Sequence, residues 1–66
     1  MSRSDLVTAF KARDYKVDKA IEWYGAVYVQ LEDKPEDIEE VQSWADGLKV
    51  HNKFGKICKV VIIVKK

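Results

Sequence analysis

One proline, three glycines and one cysteine are all that the 66 residues hold of the types that break, bend or cross-link a chain. A single cysteine, Cys58, leaves no internal disulfide and no C-x-x-C pair, and with His51 as the only histidine no clustered metal ligands arise. The scarcity of glycine and proline leaves no room for a flexible linker. No apolar run exceeds the five residues Val60 to Val64, far short of the ~20 needed to cross a bilayer as a helix. The opening MSRSDLVTAFKARD carries no apolar stretch of the about 7–15 residues that a secretory signal uses, so a cytoplasmic location is expected. No phosphate-binding loop, dinucleotide fingerprint, calcium loop or zinc spacing occurs either. No cofactor and no metal are expected.

What is present describes a globular chain: 47% hydrophobic and 35% charged residues. Residues 1–66 are read as one small domain, which buries only about 60% of the surface its unfolded chain exposes. A core of that size holds roughly 3–5 kcal/mol. The net charge of +1 hides a strong asymmetry. Between Asp18 and Asp46 nine acids face two lysines, whereas from Gly47 onward there are six lysines and no acid. The asymmetry survives in the folded molecule only if the two segments lie on different sides, and it then steers charged partners. Internal pairing of acidic and basic elements is the alternative.

Periodicity supplies the elements. Ser2 and Asp5 have the spacing of a capping box, and Leu6, Ala9 and Phe10 follow at helical intervals to about Arg13. The β-branched and aromatic residues from Tyr15 onward read as two strands, Tyr15 to Ile21 and Ala26 to Glu32. They are joined by a tight connection around Trp23, Tyr24 and Gly25, with one long kinked strand or a helix as alternatives. A second helix is expected after an Asp33 cap, with Pro35 in its first turn, Ile38, Val41, Trp44 and Ala45 on its buried face, and Gly47 as a left-handed stop. Leu48 to His51 and Ile57 to Val64 complete a C-terminal hairpin. The fold class is thus α+β, ordered helix-strand-strand-helix-strand-strand, with an antiparallel-rich sheet and both helices on one face. The last strand is apolar on both faces, so the face away from the helices is left with apolar side chains in water, and self-association as a homodimer is the expected remedy.

No catalytic arrangement emerges. Cys58 and His51 flank a turn, but a strand-buried cysteine and an exposed turn histidine account for both, and the carboxylates lie on a solvated helix face. The chain is read as a non-enzyme. Its leading functional reading is a protein-binding module or small regulator using Trp23, Tyr24 and Tyr28, residue types enriched at interface hot spots, with Glu36, Glu39 and Glu40 steering a basic partner. The alternative is nucleic-acid binding by the basic hairpin, with Lys49, Lys53, Lys56 and Lys59 on phosphates and His51 and Phe54 beside them. Solubilisation of the VVIIV strand by the same lysines is the plainer explanation of that segment. In size and composition the chain resembles the very small regulators and inhibitors made by bacteriophages and mobile elements, and no motif ties it to a named family.

Overall fold

A computed structural model describes residues 1–65. Six elements follow in chain order: α1 (Arg3–Ala12), β1 (Val17–Trp23), β2 (Ala26–Leu31), α2 (Ile38–Asp46), β3 (Val50–His51) and β4 (Ile57–Val64). The strands form one four-stranded sheet in the order β1-β2-β4-β3. The two hairpins are antiparallel, but β2 and β4 at the centre run parallel, from Ala26 beside Lys59 to Leu31 beside Val64. The sheet is therefore mixed: two of its three pairings are antiparallel, so the antiparallel-rich expectation holds in part, with the parallel central pair as the departure. The chain returns through α2 and β3 before laying down β4, and that crossover brings β4 alongside β2 in the same direction.

Both helices lie on one face. Leu6 and Phe10 of α1 and Val41 and Ala45 of α2 pack onto Val27, Val29 and Leu31 of β2, Val50 of β3, and Cys58, Val60 and Ile62 of β4. Alternation along β2 and β4 is strict, so Tyr28, Lys59, Val61 and Ile63 point to the other, outer face. Phe10 meets Trp44 edge-on at 5.0 Å between ring centres, and the guanidinium of Arg13 lies 4.3 Å over the Trp44 ring while its Nη2 donates to Glu40 Oε1 at 3.0 Å. This ties the C-terminal end of α1 to α2. Trp44 is thus half-buried at the core margin.

The capping box at α1 is present, with Ser2 Oγ accepting from Asp5 N and Asp5 Oδ2 accepting from Ser2 N. The start of α2 lies four residues later than the expected Asp33 cap. Glu32 N still donates to Lys16 O at 2.9 Å and Lys65 N to Leu31 O at 2.8 Å, so the chain stays in the sheet through residue 32. Pro35 is buried ahead of the helix, and Asp37 caps it, accepting from Glu40 N at 3.1 Å. Gly47 ends α2 at φ −80°, an ordinary helical value, so it is not the left-handed stop the sequence suggests. β1 lies two residues later than expected and extends to Trp23, leaving Tyr24 and Gly25 alone as the turn, while β2 begins at Ala26 as expected and ends at Leu31, one residue early.

Candidate functional site

The register fixes what the outer face carries. A bulge between Val17 and Lys19 shifts the alternation of β1, so Val17 and Ala20 turn toward the helices while Lys19, Ile21 and Trp23 turn outward. Trp23 then pairs with Ala26, which pairs with Lys59; Ile21 with Tyr28, which pairs with Val61; and Lys19 with Gln30, which pairs with Ile63. Ile21, Trp23, Tyr28 and Ile63 line one shallow apolar depression. Trp23 is 60% exposed, so it does not complete the core.

The parallel pairing also decides which loops are neighbours. Because β2 and β4 start at the same end, the β1–β2 turn and the β3–β4 loop project from one end of the sheet, with Lys59 N donating to Gly25 O at 3.2 Å between them. At the turn, Tyr24 and Gly25 both take positive φ, 47° and 75°, as a two-residue hairpin turn requires. The Tyr24 ring is 88% exposed and stands 4.6 Å from that of Trp23, which is 6.3 Å from that of Tyr28. In the neighbouring loop Asn52 Oδ1 accepts from both Phe54 N and Lys56 N, and Asn52 N donates to Lys56 O. This brace presents Phe54, 75% exposed, with Lys53 Nζ 5.1 Å over its ring.

Charge is segregated as the sequence layout allows. Lys19 and Lys59 lie on the outer face, Lys53 and Lys56 in the loop, and Lys49 just before β3, all exposed. No carboxylate occupies an outward paired position, and Asp18, the unpaired bulge residue, lies away from the turn end. Among the described residues, the one lysine after Gly47 that forms an ion pair is Lys65, which meets Asp18 at 3.6 Å at the opposite end of the sheet. Internal pairing therefore does not neutralise the basic segment.

Of the residues singled out in the sequence, Trp23, Tyr24 and Tyr28 come together, and they join the end of the sheet that carries Lys53, Phe54, Lys56 and Lys59. The sequence treats these as two separate surfaces. Glu36 precedes α2 and Glu39 and Glu40 belong to it, in the helical layer, with Glu40 engaged by Arg13. They do not join the aromatic cluster. His51 is exposed opposite Ile57, and its Nδ1 lies 3.5 Å from the Met1 amino group. Cys58 is buried on the helix side, so the two residues stand on opposite faces and form no nucleophile–base pair. Ile57, Val61 and Ile63 form the outward face of the last strand that its two-sided apolar pattern implies, whereas Ile21 joins them unannounced, because the bulge in β1 turns it outward. Comparison with protein-family models, curated proteins and solved structures finds no match for this chain.

Proposed function

We propose that this chain is a non-enzymatic nucleic-acid-binding module that works through the turn end of its outer sheet face. The observation carrying this reading is the convergence of an exposed aromatic cluster, Trp23, Tyr24 and Tyr28, with the lysine-bearing loop at the turn end of the sheet, where no outward paired position holds a carboxylate. Lysines that lack internal partners are free to neutralise phosphates and release their counterions, and rings held at a solvent face supply stacking surfaces. The acidic residues of α2, which would repel a phosphate backbone, belong to the opposite layer. The test is a binding titration with nucleic acid at two salt concentrations. Affinity falling steeply with salt supports the reading, and its absence at low salt removes it.

A second reading, a protein interface, is favoured by a different observation. Ile21, Val61 and Ile63 add branched aliphatic side chains to the rings, and a patch of that composition suits another protein or a second copy of this chain. Sedimentation velocity over a concentration series tests the second-copy form directly.

A further inference from the structure

We infer, on the basis of the nucleic-acid reading, that the ligand is single-stranded and crosses the end of the sheet from the Lys53–Lys56 loop to Trp23 and Tyr24, with its bases stacked on exposed rings.

Three features favour a single strand over a duplex on this surface. Stacking rings are wasted on a double helix, whose bases already stack on one another, yet Trp23, Tyr24 and Phe54 stand largely in water at the same end of the sheet. Unpaired bases are the partners that offer them π-faces, whatever their sequence. Next, β1 and β2 cannot enter a major groove as a free ribbon. β2 is bonded to β4 along its whole length, and four strands at about 4.8 Å spacing span roughly 14 Å before side chains, against a groove of about 12 Å. Finally, the outer face has no arginine to read guanine edges: Arg3 and Arg13 both flank or belong to α1, and Arg13 is held by Glu40 and Trp44.

The same layout gives the path. Lys53 and Lys56 meet the strand at one side, Lys59 lies between the two connections, and Trp23 and Tyr24 stand at the far side. Tyr28 and Val61 lie one row inward, as an apolar floor beside that route. The span of about 14 Å makes a short site, near the lower end of the ~4–16 nucleotides that one oligonucleotide-binding barrel covers. Neither sugar is read by any assigned group, so the site takes single-stranded DNA and RNA alike.

The experiment is fluorescence anisotropy with ~10-nucleotide oligothymidine, oligouridine and a duplex of equal length. Each is titrated with the full chain at about 50 and 200 mM salt. Binding of either single strand at least tenfold tighter than the duplex supports the inference. Trp23→Ala then weakens single-strand binding about 5- to 100-fold without altering the salt slope, whereas Lys59→Gln lowers that slope by about 0.7. Circular dichroism confirms that both variants fold. A duplex bound as tightly as the single strands overturns the single-strand assignment and leaves the nucleic-acid reading standing. Single-strand binding that is indifferent to Trp23→Ala overturns the stacking path. Failure of all three probes at low salt overturns the underlying reading as well.

Discussion

Tyr24 takes φ 47° with its ring almost wholly in solvent, a costly conformation for a bulky side chain and one that asparagine or glycine adopts more readily. A residue placed against its backbone preference and left exposed contributes little to packing, which fits the contact role proposed for it. Tyr24→Asn is therefore expected to recover about 1 kcal/mol of backbone strain, offset in part by loss of the edge-to-face contact with Trp23. The denaturation midpoint should stay level or rise while affinity for a single strand falls. A midpoint lowered by the equivalent of more than ~1 kcal/mol would mean the ring is structural. The glycines separate in the same way. Gly25 lies at φ 75° with open space where a Cβ would go, so Gly25→Ala costs about 1 kcal/mol through conformation alone. Gly47 has a negative φ and would bring its Cβ 3.4 Å from Trp44 O, so Gly47→Ala is close to neutral. Chemical denaturation of the two variants checks both. The sequence signals a glycine stop at 47 by its position after an amphipathic run, but position does not report φ: Gly47 N instead donates to Trp44 O at 3.1 Å and the helix ends in a tighter turn.

At the scale of elements, both edges of the sheet carry features that discourage further strands. β3 pairs only with Ile57 and Cys58, so β4 from Lys59 onward has no strand on that side. Gln42 of α2 stands in for one: its Nε2 donates to Val60 O at 3.0 Å and its Oε1 accepts from Ile62 N at 3.2 Å. At the other edge, β1 carries a bulge, Lys19 outward and Glu22 on the helix side, three devices that discourage edge-to-edge pairing. Gln42→Ala should cost about 1–3 kcal/mol by leaving two partly buried backbone groups unpaired. Gln42→Glu should cost nearly as much, because a carboxylate cannot donate to Val60 O. Urea unfolding checks these, and midpoints unchanged from wild type would show that water replaces the amide at no cost. The cap of α2 gives a parallel test: Asp37→Ala loses about 0.5–2 kcal/mol and Asp33→Ala nothing measurable. Element types and order were legible because apolar spacing and turn residues are local. The start of α2 was not, since the hydrogen bonds of Glu32 and Leu31 to Lys16 and Lys65 come from chain segments distant in sequence or folded back. The bulge in β1 was equally hidden. Val17, Ile21 and Trp23 share odd numbers and read as one face, yet the extra residue sends Val17 inward and the other two outward.

For the whole molecule, the two-layer arrangement makes neighbouring residues of one strand opposite in consequence. Ile62 is 9% exposed and faces the helices, whereas Ile63 is 40% exposed and faces outward. The sequence states that β4 is apolar on both faces and that two short helices cover one of them, but not which; that depends on the pairing with β2, which brings Val29 beside Ile62. It likewise shows that acids and lysines lie in separate segments but not that the aromatic turn and the lysine loop share an end, which follows from the parallel central pair. Ile62→Lys should unfold the domain, because an unpaired buried ammonium costs several kcal/mol against a total of roughly 3–5. Ile63→Lys should leave the circular dichroism spectrum and cooperative unfolding intact. This second variant also separates the two functional readings. Ile63 sits two rows, about 13 Å along the strands, from Trp23, at the far side of the depression that both line and away from the lysine loop. If the face binds a single strand, the added lysine leaves affinity equal or higher at low salt. It also steepens the salt slope by up to about 0.7 when the strand extends that far. If the face binds a second copy, the same charge falls inside an apolar contact, and sedimentation velocity shows the variant as a monomer at concentrations where the wild type associates. A wild type that stays monomeric throughout, with a variant that binds single strands at least as tightly, assigns the outer face to nucleic acid. A wild-type dimer abolished by Ile63→Lys, with no affinity for any oligonucleotide, assigns it to protein.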